Sequence, residues 1–215
     1  MNTYRKLMLA IAVTVIAVST SGCGYNTLNT KQQNVRAKWA GVETQLQRRA
    51  DLIFNAAEAA KLAGVQEQEV FGQIAQARSR LLNATNAAPA GAEGDKTPEQ
   101  KQAVIDANNS FGGTIGRLLS LQESYPQLRS QENFLRLQDE ISGTENRIAT
   151  SRNDYNNAAQ DYNTTRGNFP TVLFASLYGF KEEPFFKADD ASRQAPRLNS
   201  DSLRSTTAPA NTTAR

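Results

Sequence analysis

The chain contains no histidine. That excludes imidazole general bases, histidine-containing triads, histidine metal ligands and histidine pH switches together. It contains one cysteine, Cys23, so an internal disulfide, a Cys-X-X-Cys redox pair and a thiolate zinc site are excluded too. Aromatics are sparse, with nine Phe, six Tyr and one Trp in 215 residues. No sign of charge dominates: 24 basic residues stand against 21 acidic ones, a net +3. Loss of residues 1–22 would remove Arg5 and Lys6 and leave +1. Neither balance makes an electrostatic case for nucleic acid or for a polybasic membrane patch. No glycine-rich phosphate loop and no metal-ligand cluster is present, and no cofactor or metal is expected. The length suits one core-bearing domain.

Only one apolar run is long, Leu7 to Val18, interrupted at Thr14. Arg5 and Lys6 precede it; Ser19, Thr20, Ser21 and Gly22 follow, and then Cys23. Basic, apolar, small is the order of a secretory signal. A helix of that run rises about 18 Å, short of the roughly 30 Å of a hydrocarbon core. Ser21-Gly22-Cys23 resembles a bacterial lipobox, with Thr20 where lipoproteins usually carry Leu. The expectation is a signal peptide over 1–22 and acylation at Cys23. An ordinary cleaved signal and an uncleaved N-terminal anchor are the alternatives. A bare thiol is a liability in an oxidising compartment, and an acylated one is not. Gly24 is not the Asp that resembles an inner-membrane retention signal. With two membranes, the outer one facing the periplasm is therefore favoured.

From Tyr25 onward the pattern is helical. Tyr25, Leu28, Gln32, Val35, Trp39, Val42, Leu46, Arg49, Ile53, Ala56 and Ala60 are spaced by threes and fours, so one stripe runs down a long helix to Gly64. A second helix is expected from Val65 to Leu82, with Phe71, Ile74, Ala75, Arg78, Leu81 and Leu82 on one side. Asn83 to Lys96 reads as a loop. Thr97-Pro98-Glu99-Gln100 restarts a helix through a capping box with proline at the first position. Val104, Phe111, Ile115, Leu118 and Tyr125 recur within it. Gly112, Gly113 and Gly116 imply either a local break or a close neighbour. Tyr125-Pro126 marks a turn. The last long helix is expected from Gln127 to Thr165, its stripe running through Phe134, Leu137, Ile141, Ile148, Tyr155, Ala159 and Tyr162. A short helix, Pro170 to Tyr178, ends at Gly179. The fold class is all-α: an up-and-down bundle of long antiparallel helices over residues 23–187, followed by a disordered tail over 188–215.

These residues resemble the LemA family. The likeness rests first on Tyr25-Asn26, Val35, Trp39, the run Gln45-Leu46-Gln47-Arg48-Arg49-Ala50-Asp51-Leu52-Ile53, and Asn55. A second block holds Glu123-Ser124-Tyr125-Pro126-Gln127-Leu128, Phe134, Leu137, Thr144-Glu145-Asn146-Arg147-Ile148, Arg152, Tyr155-Asn156, Tyr162-Asn163 and Phe169-Pro170. Phe180 and Phe186 close it. The chain departs from the family pattern at Phe54, where proline is usual, and at Ala56-Ala57. It also lacks the usual His-Glu, near which Gln66-Glu67 and Gln68-Glu69 stand. The resemblance implies a membrane-anchored helical bundle facing away from the cytoplasm, with no established catalytic activity.

Arg49, Glu145 and Arg152 interrupt the apolar stripes. They read as a buried polar network that sets helix register, or alternatively as a ligand site within the bundle. Tyr155-Asn156 and Tyr162-Asn163 repeat seven residues apart and read as packing with polar ends bonded across helices, or as a carbohydrate platform. Trp39 belongs to the core. Six of the sixteen aromatics lie in 169–186. They close one end of the bundle, or Phe180, Phe185 and Phe186 form an interaction patch for a partner or the bilayer. The function expected is non-enzymatic binding or scaffolding at the cell envelope. The expected partners are a membrane, through the N-terminal lipid, and unidentified envelope proteins. A hydrolase or ligand-binding protein using the Arg49, Glu145 and Arg152 cluster is the competing class.

Overall fold

No proline or acidic cluster interrupts the first sixty residues, and the chain follows one helix through them. In the computed structural model, α1 spans Asn2–Leu62. The backbone is described for residues 2–91 and 95–187, and the side chains for 3–8, 24–91 and 95–187. The expected helix start at Tyr25 is therefore not a boundary. Ser21, Gly22 and Gly24 have modest helix propensity, but none removes a backbone hydrogen bond as proline would. The side chains of 9–23, Cys23 among them, lie outside the described residues. So does the tail over 188–215.

The remaining elements are α2 (Gln68–Thr85), α3 (Pro98–Ser124), a 3-10 turn (Pro126–Ser130), α4 (Glu132–Gly167) and α5 (Thr171–Tyr178). There is no strand among the described residues. Gly64 and Gly179 stop α1 and α5 in left-handed conformations, φ 87° and 73°, that a side chain would resist. At the start of α3 the Gln100 amide donates to the Thr97 hydroxyl, and the Thr97 amide donates to the Gln100 side chain, completing the capping box. α3 is unbroken across its glycines. Only Gly112 has a close neighbour, the Arg49 guanidinium, while Gly113 and Gly116 face open space.

Register follows from named pairs. Lys31 meets Asp161, Lys38 meets Asp154 and Arg48 meets Glu140, so α1 and α4 run antiparallel. The expected α1 stripe is buried from Leu28 through Val35, Trp39, Val42, Leu46, Arg49, Ile53, Ala56 and Ala60. Tyr25, its first member, is 37% exposed. On α4, Phe134, Ile141, Thr144, Ile148, Tyr155, Ala159 and Tyr162 face it, while Leu137 is half-buried. α2 and α3 pack on each other and on the distal half of α1. Ile74, Ala77 and Leu81 form the buried side of α2, so the face passes through Ala77, and Ala75 is exposed. Each fully buried Leu, Ile, Val or Phe stabilises by roughly 1.5–3 kcal/mol over exposure. This first unit ends at Phe185. Of the second, which begins at Phe186, only Phe186 and Lys187 are described, in irregular backbone.

Candidate functional site

Two buried cations organise the polar interior. Arg49, 6% exposed on α1, places Nε 2.7 Å from Glu145 Oε1 on α4. Its Nη1 donates to Asn108 Oδ1 on α3 at 2.7 Å, and its guanidinium lies 5.7 Å from the centre of the Phe111 ring. The planar fork thus joins three helices. Glu145 keeps 41% of its side chain exposed. Arg152 stands two turns further along α4, about 10 Å in rise, and is half-buried. The structure brings Arg49 and Glu145 together.

The second cation is Lys101, which the apolar pattern of α3 had concealed. It is fully buried. Its Nζ donates to both oxygens of Glu183 at 3.0 Å and lies 3.4 Å from Asp95 Oδ2. The Trp39 ring centre is 5.8 Å away. Arg36 Nε bonds the same Asp95 oxygen at 3.1 Å, so two cations face two carboxylates. Burial pushes the Glu183 carboxyl above its usual range, and the charge and hydrogen bonds of Lys101 only partly offset this.

Glu183 belongs to an irregular segment, residues 179–185, that α4 grips. The Asn163 side-chain amide donates to the Glu183 carbonyl, and the Glu183 amide donates to Asn163 Oδ1, both at 2.9 Å. The Tyr155 hydroxyl donates to the Pro184 carbonyl and the Tyr162 hydroxyl to the Lys181 carbonyl, each at 2.9 Å. Arg166 Nε donates to the Phe180 carbonyl at 2.8 Å. The described bonds of Tyr155, Tyr162 and Asn163 thus fasten a returning chain segment, where bonds to neighbouring helices were expected. Burial first, and the Glu183 charge second, push the Tyr162 phenol up to about 12 and the Tyr155 phenol higher still. Trp39 is 2% exposed and stacks edge-on with Tyr155 at 5.0 Å.

A half-open cleft of about 230 Å³ lies over this cluster, lined by Arg36, Asp95, Lys96, Thr97, Lys181 and Glu183 among others. Its cations are already paired. Arg36 meets Asp95, Lys96 meets Glu43 and the Thr85 carbonyl, and Lys181 meets Glu99. Chemically the arrangement holds a chain segment in place. Both oxygens of Glu183 are engaged by Lys101, and the Tyr155 hydroxyl also reaches Glu183 Oε2 at 3.5 Å. No group of three or more metal-ligating side chains occurs among the described residues.

The expected aromatic patch divides. Phe180 is half-buried, 5.8 Å from the Tyr25 ring centre; Phe185 is 37% exposed; Phe186 is buried. No helix among the described residues is long and apolar enough to cross a membrane. A backward reading of the α3 stripe by threes and fours, from Ile115 through Phe111 to Asn108, Val104 and Lys101, is the signal that would have found both missed polar residues. Glu183 carries no such signal, since its segment has no period.

Comparison with known proteins adds relatives. The magnetosome protein MamQ of Magnetospirillum gryphiswaldense is 27% identical over 195 residues, 84% of this chain and 72% of that protein. MamQ 1 and MamQ 2 of Paramagnetospirillum magneticum are each 28% identical over 200 residues, 87% of this chain and 74% of theirs. The LemA family profile matches residues 38–199, from just before Trp39 to beyond the described residues. Read with the antiparallel helices and the motif residues they place, that match settles membership: the chain belongs to the LemA family.

Proposed function

We propose that this LemA-family protein is held on a cell-envelope membrane by acylation of Cys23, with its bundle outside the cytoplasm. The bundle acts by binding or scaffolding and does no chemistry of its own. The observation that carries the reading is the position of the sole cysteine. It follows a basic, apolar, small-residue leader and immediately precedes Gly24, a buried position of α1. Several acyl chains at ~0.8 kcal/mol per buried methylene suffice for stable attachment. The membrane association of the family supports an envelope location. The interior supports the non-enzymatic role, because both buried cations and Glu183 are committed to holding helices and the 179–185 segment together. In an organism with two membranes, Gly24 after the cysteine favours the outer one.

The test is the intact mass of the protein purified from membranes, beside a Cys23→Ala variant. The expected mass is that of residues 23–215 plus acyl groups, lost on substitution. A mass that retains residues 1–22 and ignores the substitution would replace the lipid by an uncleaved apolar helix, the second form of the same anchor.

A further inference from the structure

Several large apolar side chains are exposed along the chain, but only one stretch gathers five of them. Phe169, Val172, Leu173, Leu177 and Tyr178, at 82%, 40%, 60%, 74% and 57% exposure, all fall within ten residues. In α5 the inward side consists of Ala175, which is buried, and Phe174, which is half-buried. Val172, Leu173, Ser176 and Leu177 form the outward side, where a helix of a water-soluble bundle carries charge. Residues 167–180 contain no charged side chain at all, and Arg166 and Lys181 bracket them.

The position of α5 along α1 gives this face its meaning. α5 packs at Gly24, where an added Cβ would come within 2.7 Å of Phe174. The Tyr25 and Tyr178 rings meet edge-on at 5.1 Å. The exposed apolar face therefore lies within about one helical turn, 5.4 Å of rise, of the Cys23 backbone. The turns at Gly64 and Tyr125-Pro126 lie at the far end of the bundle, and the polar 86–97 connection meets α1 further along, at Arg36 and Glu43.

We propose that α5 and the turn before it are a second membrane contact: Leu173 and Leu177 of α5, with Phe169 of the turn, insert into the lipid surface to which the N-terminus is attached. The inference rests on the membrane attachment proposed above, in either form, because acylated Cys23 and a retained apolar helix both bring the bilayer to this end of α1. An exposed apolar face can enter the interface while tyrosines sit at headgroup depth and flanking basic side chains reach out to the headgroups. Residues 188–215 are a poor cover for the face, since Leu198 and Leu203 are their only large apolar residues.

The test uses the full chain in vesicles of phosphatidylethanolamine and phosphatidylglycerol carrying brominated acyl chains. Trp39, buried in the core, gives a constant baseline. Leu177→Trp is compared with Leu62→Trp, a site 90% exposed at the far end of α1, about 58 Å from Cys23. The added Leu177→Trp emission is expected to fall about twofold or more and to shift to shorter wavelength, as for a side chain below the headgroups. Leu62→Trp is expected to stay unquenched. A chain that floats with the vesicles yet shows no quenching at Leu177→Trp overturns the inference and leaves the anchor standing. Blue-shifted but unquenched emission also overturns it, because a protein or a second copy then covers the face. A chain that does not float overturns both the anchor and the inference.

Discussion

Arg49 and Lys101 are both cations sunk among apolar side chains, and they are held in different ways. Arg49 lies where α1, α3 and α4 converge, and its carboxylate partner Glu145 remains 41% exposed. Part of its neutralisation is therefore shared with solvent, and its Nη1 donates to a neutral amide, Asn108. Lys101, at the start of α3, lies nearer the anchor end, where the irregular 179–185 segment packs on the helices and supplies its carboxylate. It is wholly buried, and Glu183 keeps only 4% of its side chain exposed. A helix-to-helix joint can tolerate a wet partner because apolar packing already sets its register. An irregular segment has no stripe of its own, so ion pairing and side-chain clamps must hold it.

The largest expected effect tests that difference directly. Lys101→Met leaves Glu183 buried with Asp95 as its charged neighbour and should cost about 3–5 kcal/mol in denaturant unfolding. Adding Glu183→Gln should recover most of the loss, since the uncompensated charge is then gone. Arg49→Met should cost less, about 2 kcal/mol, because Glu145 can turn to water while the Asn108 carbonyl loses its charged donor. The comparison breaks if Arg49→Met proves as costly as Lys101→Met. A double-mutant cycle on Arg49→Met and Glu145→Gln should show coupling of about 1 kcal/mol, modest because the carboxylate is screened. Strictly additive losses would remove the ion pair from the account of register.

Much of the fold is legible because long helices repeat their instructions. The α1 and α4 stripes, the Thr97 capping box and the glycine stops at Gly64 and Gly179 are all local signals, and the helices obey them. The failures share a cause. The pattern puts Ala75 on the buried side of α2, although a lone methyl marks a helix face only weakly, and it starts α1 at Tyr25, although nothing just before Tyr25 removes a helical hydrogen bond. Lys101 and Asn108 fit the α3 stripe in spacing but not in polarity, and their identity hid them. The Arg49 to Glu145 contact could be anticipated from two stripes meeting. The partners of Tyr155, Tyr162 and Asn163 could not. Apart from the Glu183 carboxylate beside Tyr155, the described partners are main-chain groups of an aperiodic segment about twenty to thirty residues on, and no side-chain pattern announces a carbonyl.

Alkaline titration separates the two regions with the smallest perturbation. The Tyr162 hydroxyl donates to the Lys181 carbonyl, and its folded pKa of about 12 exceeds the ordinary tyrosine value of 10.0. Between those values the unfolded chain releases this proton and the folded chain keeps it, so stability falls as pH rises. Its contribution is complete below about pH 10 and is lost through about pH 12, a swing of roughly 2–3 kcal/mol. Tyr162→Phe removes one hydrogen bond and should cost about 0.5–1 kcal/mol at neutral pH. The same change deletes the alkaline slope, so the deficit should shrink above pH 10 and reverse before pH 12. Groups that titrate in both proteins cancel in the difference. Arg49→Met, in the other region, should displace the stability curve without changing that slope. A constant deficit for Tyr162→Phe across the window would mean that the phenol ionises as freely in the fold as outside it, and that the 179–185 segment opens at high pH without unfolding the bundle.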